Sequence, residues 1–126
     1  MSICKFALFA LVPLIACRAM AESSEEMLSS CKKWADARVV DKDKVLMPPD
    51  FESGKCWGAF ATIQSTVVLS NGKTRIHGVC APPNGTRTQL IAIFAEYATR
   101  NPRLLNEDFI LVAIEALRDA FPCAPR

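Results

Sequence analysis

The sequence predicts a small all-α domain, a disulfide-stabilised bundle of about four helices. Apolar residues recur at helical spacing in four separate stretches of the chain. The stretch from Cys80 to Cys123 holds two of them, separated by Asn101-Pro102 and closed by a cysteine at each end. This pattern is typical of a helical hairpin, in which the start of one helix lies beside the end of the next.

The first 21 residues have the features of a secretory signal peptide. Lys5 supplies a positive charge, an apolar run follows from Phe6 to Ala16, and Ala19-Met20-Ala21 is a small-residue cleavage site. The run is shorter than the roughly 20 apolar residues that a membrane-spanning helix needs. We therefore expect an exported, periplasmic protein, with an uncleaved buried helix as the alternative.

A second processing route is open. Leu14-Ile15-Ala16-Cys17 resembles a bacterial lipobox, in which the cysteine is lipidated and becomes the mature N-terminus. Either route exports the chain, and only lipidation at Cys17 would attach it to a membrane.

The mature chain, residues 22–126, has the length of one small domain. The full sequence holds 15 basic and 13 acidic residues, and the leader contains Lys5 and Arg18 but no acid, so the mature domain carries 13 of each. A net charge of zero argues against nucleic acid or an anionic membrane as the main partner.

Four cysteines remain after cleavage: Cys31, Cys56, Cys80 and Cys123. An even number in an exported chain predicts two disulfides in an oxidising compartment. None of these cysteines has the close spacing of zinc ligands, and His77 is the only histidine, so no metal and no cofactor is expected.

The first predicted helix runs from Ser23 to Arg38, with Ser23 or Ser24 as its cap and a buried stripe formed by Met27, Leu28, Cys31 and Trp34. Residues Val39 to Gly54 are predicted to be a connector, because a charged run and two prolines interrupt any helical pattern.

The second predicted helix covers Cys56 to Leu69, with Gly58 small enough for a close helix contact. The buried face comprises Cys56, Ala59, Phe60, Ile63 and Val67. Its β-branched tail weakens the prediction near its end. A turn at Ser70–Lys73 and a short extended segment from Thr74 to Val79 lead to Cys80.

The hairpin helices carry their own boundary signals. Thr86 and Gln89 fit a capping box for the first, which ends at Asn101-Pro102, and Asn106 is the predicted cap of the second. The first should bury Leu90, Ile91, Ile93, Phe94, Tyr97 and Ala98, and the second Phe109, Val112, Ala113, Ala116, Leu117 and Ala120.

This layout favours one of the three possible disulfide connectivities. If the first two helices are antiparallel neighbours, Cys31 approaches Cys56, and the hairpin brings Cys80 to Cys123.

Catalytic chemistry has little support in the sequence. A catalytic triad would have to use His77, and no nucleophile elbow, metalloprotease or phosphate-loop motif occurs. We therefore expect a binding protein rather than an enzyme. Exposed loops on a rigid scaffold commonly carry recognition residues. The candidate partner-binding residues are Ser70, Asn71, Gly72, Lys73, Thr74, Arg75, Ile76 and His77.

Several of these segments together resemble the Tai-type immunity family. They are Cys56-Trp57-Gly58-Ala59-Phe60, Cys80-Ala81-Pro82-Pro83, Thr86–Leu90 leading to Glu96-Tyr97, Asn101-Pro102, and Ala116-Leu117 with Phe121-Pro122-Cys123. The resemblance covers about residues 27–123. Members of that family are small periplasmic proteins that neutralise peptidoglycan amidases delivered by type VI secretion.

The resemblance implies an all-α fold, disulfides among these cysteines and often a homodimer. It also implies inhibition by occlusion, in which a protruding loop and a helix surface block the catalytic groove of the amidase. Two features depart from the family pattern. Family members commonly carry an aspartate several residues after the second-helix glycine, where this chain has Ile63, Gln64 and Ser65, and the connector between Cys31 and Cys56 is rather long.

Two other functions fit a small exported helical domain. An HdeA-like periplasmic acid-stress chaperone would open at low pH and expose apolar surface, which the 22% charged residues and two predicted disulfides argue against. A carrier of a small ligand would need a pocket between the helices.

Overall fold

A computed structural model describes residues 21–35, 39–41, 44–45, 48–70 and 77–124. Four α-helices dominate it: α1 (Ser24–Ala35), α2 (Phe51–Ser70), α3 (Arg87–Arg100) and α4 (Phe109–Ala120). A short 3-10 helix (Pro102–Leu104) joins α3 to α4, and two short strands, β1 (Val39–Asp41) and β2 (Lys44–Val45), pair antiparallel between α1 and α2. The predicted all-α bundle is confirmed.

Helices α1 and α3 each pack against the other three helices, and α3 is the centre of the bundle because its contacts with them are together the more extensive. The rings of Phe60, Phe94 and Phe109 meet in the core, with centroids 5.2–5.7 Å apart, in tilted and edge-to-face contacts. These are the arrangements that aromatic quadrupoles favour. One phenylalanine from each of three helices therefore fixes how those helices pack.

Helices α1 and α2 are antiparallel. Lys33 contacts Asp50, the indole nitrogen of Trp34 donates to the carbonyl of Ser53 (2.8 Å), and a disulfide joins Cys31 to Cys56. The last turns of α1 therefore lie beside the start of α2, as they do in antiparallel helices. Both cysteines of this disulfide are fully buried. The pairing is the one that antiparallel helices favour.

The predicted buried faces agree closely with the structure. Met27, Cys31 and Trp34 of α1 are buried, as are Leu90, Ile91, Phe94 and Ala98 of α3. Leu28, Ile93 and Tyr97, which were also predicted on these faces, are only partly buried. Ala120 is the exception in α4, where it is exposed at the last turn. Ala120 is the last residue of α4, and its two predecessors Arg118 and Asp119 are exposed as well.

The prediction that residues 39–54 form an irregular connector was wrong at both ends. β1 and β2 occupy part of it, and α2 begins at Phe51, five residues before the predicted start. Asp50 makes this earlier start possible, because its carboxylate accepts a hydrogen bond from the backbone N–H of Ser53 (3.0 Å). The prolines therefore precede the helix without preventing it. Gly58 is exposed, and no atom of another element lies within 4 Å of the place that a Cβ would occupy there, so the predicted close helix contact is also wrong.

Thr86 caps α3 as predicted, through one of the two hydrogen bonds of a capping box, and the predicted cap of α4 was wrong. The hydroxyl of Thr86 accepts from the N–H of Gln89 (3.3 Å). At α4 the cap is Asp108 rather than Asn106, and its carboxylate accepts from the N–H groups of Ile110 and Leu111. A tertiary contact explains the difference: Ser23 pairs with Asp108 in an antiparallel bridge, and the N–H of Phe109 donates to the carbonyl of Glu22 (3.0 Å). This bridge holds residue 108 in extended backbone.

Asp108→Ala is expected to lower the free energy of unfolding by about 1 kcal/mol, because two N–H groups at the start of α4 lose their acceptor. Asn106→Ala is the matched control and should change it by less than about 0.5 kcal/mol, since Asn106 is exposed. Urea denaturation of both variants measures the difference. Equal losses in the two variants would show that Asn106 stabilises the start of α4 as much as Asp108 does.

Candidate partner-binding surface

The predicted contact segment joins the end of α2 to a turn near the end of α4. Ser70 is the last residue of α2, residues 71–76 lie outside the described part of the chain, and His77 is exposed. His77 and Gly78 have backbone φ angles of 53° and 76°, which place both in the left-handed region. A residue with a Cβ seldom adopts this conformation. The predicted extended segment from Thr74 to Val79 is therefore wrong at His77 and Gly78.

A small clamp, which we call the stem, follows this turn. It consists of Gly78–Cys80 paired with Phe121–Cys123. The N–H of Cys80 donates to the carbonyl of Phe121 (2.8 Å), and the N–H of Cys123 donates to the carbonyl of Gly78 (3.2 Å). The Cys80–Cys123 disulfide closes the stem, with the two Cα atoms 5.0 Å apart. The stem ties the C-terminal end of the candidate segment to the end of the hairpin.

The surface beside the stem is polar. A depression of about 320 Å³ lies over the last turns of α3 and α4, lined by Tyr97, Glu115, Arg118, Asp119 and Pro122. The aliphatic part of the Arg118 side chain lies against Gly78, so the depression and the turn are adjacent. This arrangement places a depression with charges of both signs next to Gly78, which suits a polar protein contact better than an apolar ligand.

A second cluster, which sequence reasoning missed, stacks aromatic and cationic side chains. The rings of Trp34 and Trp57 are stacked with centroids 4.4 Å apart, and the guanidinium of Arg87 lies 4.4 Å from the centroid of a Trp57 ring. The Arg87 Nε also donates to Gln64 (3.3 Å). The cluster joins α1, α2 and the start of α3. Trp57 and Arg87 are half-buried, and we assign the stack to holding these helices together by cation–π attraction.

A charged cluster lies across α1 and α2. Lys55 forms ion pairs with Glu22 and with Glu52, the latter at 2.9 Å, and the Ser30 hydroxyl donates to Glu52. The pKa of Glu52 is lowered from its usual value, mainly by the hydrogen bond from the Ser30 hydroxyl and secondly by the hydrogen bond from Lys55. Glu22 first, and then Glu52, raise the pKa of Lys55.

A neighbouring ion pair acts on Asp50 in the same direction. Lys33 approaches Asp50 at 2.9 Å. Lys33 first, and then the N–H of Ser53, lower the pKa of Asp50. Asp50 also caps α2, so its charge contributes to the start of that helix as well.

These pKa directions predict that acid destabilises the domain. A carboxylate whose pKa is lowered by folding stabilises the fold above its unfolded pKa, and that contribution is lost as the pH falls through the folded pKa. For Asp50 and Glu52 this places the loss below about pH 4. The pKa of Lys55 is raised instead, so the stability that this lysine contributes is present at low pH and is lost only as the pH rises through its pKa. Thermal unfolding measured from pH 7 to pH 2 should show a falling midpoint.

The double variant Asp50→Asn, Glu52→Gln provides the control, because Asn still caps a helix and neither amide titrates. Its unfolding midpoint should fall less steeply with acid than that of the unaltered domain. Identical slopes would show that other groups dominate the acid response.

An apolar groove and exposed apolar side chains complete the surface. The groove, of about 600 Å³, lies between α1 and α3 and is lined in part by Leu28, Ala95 and Leu105. The large apolar residues Phe51, Ile110 and Leu111 are exposed at the starts of α2 and α4.

The described residues give no sign of catalytic or metal chemistry. They contain no group of three or more His, Cys, Asp or Glu side chains that could hold a metal ion. The cysteines at positions 31, 56, 80 and 123 are all in disulfides and therefore are not available as nucleophiles. Within the same ranges, the helices lack the combined length and hydrophobicity that crossing a membrane requires.

Comparison with known proteins identifies the family. The family model for Rap1a immunity proteins matches residues 16–123, which is most of the chain. Comparison with curated proteins and with solved structures gave no significant match. The match spans all four helices and both disulfides, and Rap1a immunity proteins are a type VI secretion immunity family whose members bind a partner effector protein. The chain belongs to the family of Rap1a immunity proteins.

Proposed function

We propose that this protein is a periplasmic immunity protein that binds a peptidoglycan amidase delivered by type VI secretion and occludes its catalytic groove. The observation that carries the proposal is the Rap1a match over residues 16–123. The amidase as target comes from the resemblance to Tai-type proteins, which rests on Cys80-Ala81-Pro82-Pro83 and Phe121-Pro122-Cys123 among its segments.

The location in the periplasm is part of the proposal. Two disulfides in one small domain favour an oxidising compartment, and the signal-peptide features of residues 1–21 would deliver the chain there. A peptidoglycan amidase acts in the same compartment, so inhibitor and enzyme would meet where the damage occurs. Sequencing the N-terminus of the exported protein tests this step: Glu22 is expected, and a lipidated Cys17 would change the anchoring.

The attachments at the two described ends of the candidate segment support occlusion. Residues Ser70 to His77 connect α2 to the stem, and a disulfide fixes the far end of this connection. A segment held at both ends loses less conformational entropy on binding than a free one, which improves affinity. Glu115, Arg118 and Asp119 line the depression next to Gly78, and their charges would add polar contacts with the amidase. We propose residues 70–77 as the inhibitory loop.

The proposal includes no enzymatic activity for this chain, and it includes self-association, which the resemblance implies. Sedimentation of the mature domain over a range of concentrations tests the homodimer. A molecular mass equal to that of one chain at every concentration would rule out the homodimer.

The function is tested by capture and inhibition. The mature domain, residues 22–126 with both disulfides formed, is used as bait for type VI effectors of its own and neighbouring strains. We expect capture of a cysteine amidase and loss of its activity on peptidoglycan. Capture of a different class of effector would keep the family assignment and overturn the amidase target.

Replacing residues 70–77 by a glycine–serine linker of equal length tests the site. Loss of a recognition loop commonly removes several contacts, so the affinity for the captured effector should fall at least about 100-fold. The control is Glu96→Ala with Arg100→Ala, which removes an exposed ion pair of α3 and should leave the affinity unchanged. An unchanged affinity after loop replacement would move the contact elsewhere on the bundle.

A further inference from the structure

The two disulfides differ in their surroundings. Cys31 and Cys56 are both 0% exposed, and they lie in the core between α1 and α2. Cys80 and Cys123 are only half-buried and lie outside the helices, in the stem. Thiol–disulfide exchange needs a thiolate to reach one of the two sulfurs. The stem disulfide is therefore the more accessible of the two.

Opening the stem does not require a helix to unfold. Helix α4 buries Phe109, Val112, Ala113, Ala116 and Leu117 and is capped by Asp108 at its other end. Beyond Ala120, the attachments of the chain include two backbone hydrogen bonds and the disulfide to Gly78–Cys80, the bridge of Pro122 with Val79, and the packing of Phe121 on the core. Val79 is fully buried, so opening the stem means that residues 121–123 detach while Val79 stays in the core.

The buried disulfide is in the opposite situation. Exposing the sulfurs of Cys31 and Cys56 would require α1 to separate from α2, which would break the hydrogen bond from Trp34 to Ser53 and the stacking of Trp34 on Trp57. Local openings cost less free energy at chain ends than in a packed core. This difference sets the order in which a reductant reaches the two disulfides.

We propose that Cys80–Cys123 is a thiol–disulfide exchange site for dithiol reductants, and that its reduction opens the stem while the helical bundle stays folded. A thiolate of the reductant attacks one Sγ and breaks the Sγ–Sγ bond, forming a mixed disulfide. The second thiolate of the reductant then displaces the protein sulfur. The reductant leaves as a disulfide, and the protein gains two electrons and two protons as the thiols of Cys80 and Cys123.

The test uses the mature domain with both disulfides formed and dithiothreitol as the dithiol. Samples taken during reduction are alkylated with iodoacetamide and mapped by mass spectrometry, while circular dichroism and tryptophan fluorescence are recorded. Cys80 and Cys123 should be alkylated at least about tenfold faster than Cys31 and Cys56. During that first phase the helical signal and the fluorescence of Trp34 and Trp57 should not change.

Two results would overturn the proposal. Equal or faster alkylation of Cys31 and Cys56 would show that accessibility does not order the reactions. Loss of the helical signal together with the first disulfide would show that the stem cannot open alone.

A variant gives an independent readout. Cys80→Ala with Cys123→Ala removes the exchange site, and its increase in backbone hydrogen exchange should be largest in the stem, beyond the uniform increase that a lower free energy of unfolding gives the helices. An increase no larger in the stem than in the four helices would contradict a local opening. The reduction experiment on the unaltered domain decides the matter even if this variant folds poorly.

Reduction has a consequence for effector capture that rests on the proposed function. The stem holds the C-terminal end of the proposed inhibitory loop, so the reduced domain should capture the amidase more weakly than the oxidised one. The alkylation experiment involves no effector, so it tests the exchange site independently of the proposed immunity function.

Discussion

Replacing Cys31 and Cys56 together by alanine is expected to lower the free energy of unfolding by about 3–4 kcal/mol. The disulfide closes a sequence separation of 25 residues, and cross-linking a loop of that size removes conformational entropy from the unfolded chain. Domains of this size are commonly stable by only about 5–15 kcal/mol, so the loss is a large share of the total. Urea denaturation at equilibrium measures it.

The matched control is the same pair of substitutions at Cys80 and Cys123. Its separation of 43 residues predicts a slightly larger entropic loss, about 4 kcal/mol against about 3.5 kcal/mol. If the buried disulfide costs clearly more, native packing between α1 and α2 contributes beyond chain entropy. A loss below about 1 kcal/mol at Cys31–Cys56 would show that the reduced unfolded chain is already compact.

The buried helix faces could be predicted because helical periodicity reports directly on which side of a helix is covered. In α3, Leu90, Ile91, Phe94 and Ala98 recur at intervals that place them on one side, and they are buried. The disulfide connectivity followed from the same information, because antiparallel neighbours bring helix starts to helix ends. Local sequence was sufficient for both.

The errors arose where tertiary contacts choose among equivalent local signals. Asn106, Glu107 and Asp108 lie together before α4, and both Asn and Asp are good caps. The bridge from Ser23 to Asp108 selects the last of them, and it joins residues 85 positions apart in sequence. The early start of α2 at Phe51 was missed because Pro48-Pro49 looks like a break, although Asp50 is a sound cap.

The surface was the least predictable part. The Trp34–Trp57–Arg87 stack combines three elements, and no spacing in the sequence relates its members. The left-handed backbone at His77 lies directly before the stem, and no local pattern in the sequence predicts it. For the predicted contact residues, the structure describes Ser70 as the end of α2 and His77 as an exposed turn residue, and their role in binding stays a prediction.

Phe94→Ala is expected to be among the most damaging single substitutions in the core, with a loss of about 3–5 kcal/mol in the free energy of unfolding. Phe94 is fully buried on the central helix, and its ring contacts both Phe60 and Phe109, so truncation leaves a cavity and removes two aromatic contacts at once. Phe51→Ala is the matched control: this phenylalanine is 79% exposed at the start of α2, and its loss should change stability by less than about 0.5 kcal/mol. Thermal and urea unfolding of the two variants compare the same chemical change at a buried and an exposed position. A similar effect at both positions would mean that the three-ring cluster does not hold the helices together. A much larger loss at Phe94 would show that packing at the junction of α2, α3 and α4 contributes strongly to the stability of the domain.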